Sequence, residues 1–131
     1  MGKKVALLIG VSEYQNENNL PPCQKDIELM HAVVSGSEKY DDVLFLNNSP
    51  KSSEAKDKIS AFIRKNQSQD IEEVFVYYTG HGARNADDFL YLFSDFSNSK
   101  IEQTSLRNSE FDSMIKSLKP DLTVKVVDAC Q

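Results

Sequence analysis

Two side chains in this 131-residue sequence have the types and spacing for covalent chemistry: His81, set between Gly80 and Gly82, and Cys130, 49 residues further on (130 − 81). An imidazole beside a thiol supplies either a base or a stabilising cation for the thiolate, the nucleophilic form of cysteine. A thiolate that attacks a carbonyl also needs fixed N–H donors for the oxyanion that follows. Gly82 has no side chain to keep a carbonyl away, so its N–H is one natural donor, and the N–H of Cys130 is the second. The remaining histidine and cysteine read differently. Cys23 falls on the apolar stripe of a helix, where a thiol behaves as a small hydrophobe, and His31 reads as structural.

The elements that must position these groups are legible as apolar runs. Glu73-Val74-Phe75-Val76-Tyr77-Tyr78-Thr79 leads into Gly80-His81-Gly82, and Leu122-Thr123-Val124-Lys125-Val126-Val127 leads into Asp128-Ala129-Cys130. Near-continuous β-branched and aromatic runs predict strands covered on both faces, as in a parallel sheet. Open sheets of that kind gather their ligands at the C-terminal strand ends. The sequence therefore predicts that His81 and Cys130 end their strands at one sheet edge.

Val5-Ala6-Leu7-Leu8-Ile9-Gly10-Val11 predicts a further buried strand, and the polar stretch 12–22 a loop at the same edge as His81. Cys23, Ile27, Met30 and Val34 recur at helical spacing and predict a helix over 24–34, with Asp26 in its first turn, where a carboxylate also suits the helix dipole. Residues 42–48 predict a second strand, and Ala55, Ile59, Phe62 and Ile63 a second amphipathic helix. The stretch 83–105 is irregular, with an edge strand or hairpin at 89–93. A third helix starts after Asn108 or Ser109 and ends before Pro120. Alternating strands and helices predict an α/β fold: a mostly parallel sheet flanked by helices on both faces.

Composition narrows the function classes. A net charge of −5 argues against a nucleic-acid-binding surface. No apolar run approaches a membrane span, and the start of the chain has no signal-peptide pattern. Two cysteines do not make a disulfide framework, so a cytoplasmic setting is expected.

The motifs are also specific in kind. Tyr77-Tyr78-Thr79-Gly80-His81-Gly82 and Val127-Asp128-Ala129-Cys130-Gln131 resemble the two catalytic motifs of the caspase-like cysteine peptidases, in which the histidine lies about 50 residues before the cysteine. The strand at 5–11 and the helix opening Cys23-Gln24-Lys25-Asp26 resemble that family's first strand and helix. The resemblance spans the whole chain and covers the family's large-subunit, p20-like region. It implies the caspase-haemoglobinase fold and a cysteine endopeptidase with His81 and Cys130 as its dyad.

Within the family, enzymes that cut after aspartate use arginine and a glutamine two residues before the nucleophile. Here Asp128 holds that position, and Asp26 stands where metacaspases carry an acidic pocket residue. Thr79 takes the place of a serine common in metacaspases. The resemblance thus implies metacaspase-like binding of Arg or Lys by Asp26, Asp128 and Thr79, since two carboxylates repel an acidic side chain and pair with a basic one. Many metacaspases bind calcium, but Asp87, Asp88 and Asp95 are too scattered for a dense oxygen cage and read as solvated loop charges. No metal or other cofactor is expected.

The sequence given ends one residue after Cys130, whereas relatives continue into a small subunit. The expectation is a large-subunit part that needs a small-subunit chain, or the remainder of the same protein, to act on its protein or peptide substrate. Arg84, Lys100 and Arg107 are candidate sites of autocleavage. A catalytically silent scaffold, and a separase-like or CHAT-type module of a larger signalling or defence protein, remain as alternatives.

Overall fold

The structure, a computed structural model, describes residues 2–130, with the backbone alone of Cys130. Among these residues the chain runs β1 (Lys3–Gly10), α1 (Pro21–Ser37), β2 (Asp42–Leu46), α2 (Ser52–Asn66), β3 (Ile71–Asn85), β4 (Asp88–Leu92), β5 (Ser105–Arg107), α3 (Asn108–Lys116) and β6 (Leu122–Cys130). The strands form one mixed sheet in the order β2-β1-β3-β4-β5, with β6 also paired to β3. β1 runs parallel to β2 and β3, and β6 runs parallel to β3. β4 is antiparallel to both β3 and β5.

Helices cover both faces of β1 and β3, as their apolar runs predict, whereas β6, for which the same covering is predicted, leaves Leu122, Val124, Val126 and Val127 exposed. On one face Ile27 and Val34 of α1 pack with Ala6, Leu8 and Tyr77. On the other, Ile59 and Phe62 of α2 and Phe111 and Ile115 of α3 pack with Leu7, Ile9, Val76 and Tyr78. Alternate residues of β1 and β3 thus serve two cores, which is why their sequences are apolar without interruption. Lys125 ties β6 to α3, its Nζ donating to Asn108 Oδ1 at 2.5 Å and to Asp112.

Several boundaries differ from the sequence expectation, most by one or two residues, and the short β5 is not among the expected elements. α1 begins at Pro21, ahead of its apolar stripe, because prolines fit a helix's first turn, where no intrahelical N–H bond is lost. It continues past Val34 to Ser37 and closes on Glu38 in the left-handed region, φ 55°. The largest difference is in β3. Gly80-His81-Gly82 does not end that strand; the chain continues to Asn85 and turns through Ala86, φ 58°, into β4. Residues 73–81 pair with β6 and residues 82–85 with β4, so His81 lies where β3 changes partner.

Candidate active site

Gly80 has φ +157° and lacks the Cβ that would fall 2.6 Å from the Tyr78 phenol oxygen and 2.8 Å from that of Tyr14. Those two phenols hold the backbone of the next residue. The His81 N–H donates to Tyr14 Oη at 2.8 Å, and Tyr78 Oη donates to the His81 carbonyl at 2.6 Å. Tyr14 also donates to the Leu92 carbonyl at 3.1 Å, and Tyr78 Oη lies 2.8 Å from that same oxygen. Burial pushes the Tyr78 phenol well above its ordinary pKa, and the neighbouring Tyr14 adds to the shift, so it stays a neutral donor.

The imidazole is oriented from the loop at residues 11–20. Its ring sits 4.6 Å from the Tyr14 ring at an interplanar angle of 59°, and Nε2 lies 2.8 Å from the Asn18 carbonyl oxygen. A carbonyl only accepts, so Nε2 carries the proton and the Nδ1 lone pair is left for a second partner. The sequence places this loop at the correct edge but does not single out Tyr14 or Asn18. Tyr14 is an aromatic in an otherwise polar stretch, which is the one local sign of its role. Asn18 acts through its backbone and leaves no sign at all.

The register of β3 and β6 pairs His81 with Cys130, Gly80 with Ala129 and Thr79 with Asp128. Neighbouring strands lie about 4.8 Å apart, so the backbones of the two motifs are side by side. The Cys130 side chain and Gln131 lie outside the described residues. The glycine at 82 has a structural reason of its own: a Cβ there would fall 2.2 Å from Phe89 Cζ and 3.0 Å from Ala129 Cβ. The space beside its Cα is filled by the β3–β4 hairpin rather than left open for a substrate.

Asp26 and Asp128 act on a common neighbour. Burial raises the Tyr77 phenol pKa, hydrogen bonding with Thr79 opposes the rise, and the carboxylates of Asp128 and Asp26, with Cys23, add to it. Asp26 is half-buried on α1 and Asp128 is exposed on β6. Thr79 stands opposite Asp128 in the β3–β6 register, fully buried, and its Oγ1 reaches no regular hydrogen-bond geometry with any described residue. A separate cleft of about 570 Å³ opens beside His81, with Glu17, Asn18, Arg84, Leu92 and Phe96 in its walls; neither Asp26 nor Asp128 lines it.

The carboxylates considered for calcium do not converge, and no group of three or more His, Cys, Asp or Glu side chains among the described residues could hold a metal ion. Two of them are not simply solvated. Asp95 accepts from the Ser52 N–H at 2.9 Å and from its hydroxyl at 3.1 Å, at the start of α2. Asp88 accepts from the Ser109 hydroxyl at 2.6 Å and its N–H at 3.3 Å, at the start of α3. Both satisfy helix N-termini. His31 stacks on Phe45 with ring centroids 3.8 Å apart, and Cys23 is buried, so both serve packing.

A mixed sheet flanked by helices, with the strand of His81 paired to the strand of Cys130, defines an α/β domain. The caspase domain family matches residues 3–131, and the chain belongs to that family of cysteine peptidases. A comparison with curated proteins gives no match. No helix among the described residues is long and apolar enough to cross a membrane.

Proposed function

We propose that this chain is the large-subunit part of a cysteine endopeptidase of metacaspase type, which cleaves protein substrates after Arg or Lys with His81 and Cys130 as its dyad. The observation that carries the reading is the register of β3 and β6, which sets His81 opposite Cys130 and Thr79 opposite Asp128. His81 Nδ1 takes the thiol proton, and the thiolate attacks the scissile carbonyl carbon. The C–S bond forms as the carbonyl becomes an oxyanion, held by the N–H groups of Gly82 and Cys130. The C–N bond then breaks, and His81 returns its proton to the departing amine. Water, deprotonated by His81, releases the acyl group and restores the thiol. Throughout, the Asn18 carbonyl holds the Nε2 proton, so that Nδ1 alone exchanges.

Asp26 and Asp128 supply the basic specificity through charge-assisted hydrogen bonds to a guanidinium or ammonium. Their shared influence on Tyr77 supports a common pocket. Thr79 contributes from its place opposite Asp128. Strands of a small subunit, supplied by a second chain or by the rest of the same protein, complete the sheet beside β6. The compartment is the cytoplasm.

The test is hydrolysis of two fluorogenic peptides, one with Arg and one with Asp before the scissile bond, by the protein with its completing part. The Arg peptide alone is expected to turn over, and Cys130→Ala to abolish that turnover. Preference for Asp would remove the acidic-pocket argument. Turnover that survives in Cys130→Ala would remove the dyad.

A further inference from the structure

We propose that Tyr14 is a positioning residue for His81: its phenol fixes the His81 peptide and its ring walls the imidazole. The proposal rests on the reading of His81 as the catalytic base and goes beyond it by naming what holds that base in place.

β3 sets the face from which the His81 Cβ leaves, but the glycines on either side offer no side chain to hold the ring. The orientation has to come from groups distant in sequence. Tyr14 supplies two of them at once. Its hydroxyl accepts the His81 N–H at 2.8 Å and donates to the Leu92 carbonyl at 3.1 Å, which links β3 to the end of β4. Its ring lies against the imidazole at 4.6 Å. With Tyr78 on the His81 carbonyl, the backbone of this residue is held at both its N–H and its C=O.

Tyr14 is itself fixed. Its N–H donates to Asn19 Oδ1 at 2.8 Å, and the following residue, Gln15, donates its N–H to the Ser94 carbonyl at 2.8 Å. Tyr14 is 8% exposed, so the contact with His81 is made from within the core and not from a solvated loop. Gly80 completes the fit, because a Cβ there would stand 2.8 Å from the Tyr14 hydroxyl. Asn18, whose carbonyl accepts the hydrogen bond from Nε2, lies on the same loop four residues later, so displacement of Tyr14 disturbs both the backbone and the tautomer of His81.

Two variants separate positioning from plain packing. Tyr14→Phe keeps the ring and removes the hydroxyl; Tyr14→Leu removes both. Positioning predicts that kcat on the Arg peptide falls about tenfold in Tyr14→Phe and about a hundredfold in Tyr14→Leu, with KM within about twofold of wild type. The second readout is the 15N shift pair of the His81 ring, which is expected to report a single Nε2–H tautomer in wild type and an averaged pair in folded Tyr14→Leu. Wild-type kcat in both variants, or an unchanged tautomer in folded Tyr14→Leu, would overturn the proposal. A wild-type protein that hydrolyses neither peptide would overturn the peptidase reading instead, and the ring shifts would still decide whether Tyr14 sets the imidazole.

Discussion

The proposed preference for Arg or Lys rests on the carboxylates of Asp26 and Asp128. Each is at least partly solvated, and both add to the raised pKa of the Tyr77 phenol, so on the proposed reading a cation bound by both would meet two negative charges. Charge-assisted hydrogen bonds contribute about 1.5–3 kcal/mol each, and a shift of about 1.4 kcal/mol is tenfold. Asp26→Asn and Asp128→Asn are therefore expected to lower kcat/KM for the Arg peptide by about 10- to 100-fold each. The loss should be non-additive in the double variant, because both partners bind one group. Raised salt should narrow the gap to wild type, since exposed charges are screened beyond about 8 Å at physiological ionic strength. Equal kcat/KM in wild type and both variants would place the specificity elsewhere.

Among the elements, α2 and α3 are each started by a carboxylate from a distant segment. Asp95 takes the Ser52 N–H, and Asp88 takes both polar groups of Ser109. Asp95→Ala is expected to destabilise the fold by about 1 kcal/mol, the usual cost of losing an N-terminal cap, measured by urea denaturation. Asp88 adds a pH signature. The Ser109 hydroxyl bond, and further bonds from the Phe89 and Ser109 N–H groups with the Arg107 charge, hold its pKa below the ordinary 3.8 despite some desolvation. A carboxylate whose folded pKa is depressed stabilises above its unfolded pKa and loses that contribution as pH falls through the folded value. The melting temperature of Asp88→Ala should thus lie below that of wild type at pH 7 and converge on it below about pH 4. A gap independent of pH would show that the ionised carboxylate is not what holds α3.

For the molecule as a whole, β6 is the asymmetry. It pairs with β3 on one side, and among the described residues no strand pairs with its other side. Leu122 is 52% and Val126 41% exposed there, beside the exposed Val124 and Val127. An open edge rich in β-branched residues is a template for another strand. The 131-residue chain by itself is expected to self-associate with rising concentration in sedimentation velocity. Val126→Lys should suppress that association while leaving the circular dichroism spectrum unchanged. A monomeric wild-type chain at high concentration would show that this edge is not adhesive.

The sequence by itself determined the parallel strands and placed the His81 and Cys130 positions at one region of the sheet. The β3 run is buried on both faces as its apolar sequence requires; the β6 run is not, yet both pair in parallel, and that pairing brings the His81 and Cys130 positions level. Helical stripes such as Ala55, Ile59, Phe62 and Ile63 were equally plain, and all four are buried. The flanking glycines were visible as motifs, but not the reasons for them: Gly80 makes room for two phenols and Gly82 for Phe89. Only the tertiary structure decided what holds the histidine. Tyr14 reaches its N–H across 67 residues, Asn18 reaches Nε2 across 63, and Asp95 reaches α2 across 43. Contacts of that separation follow from packing of the finished fold, and leave no periodicity or local signature in the chain from which to read them.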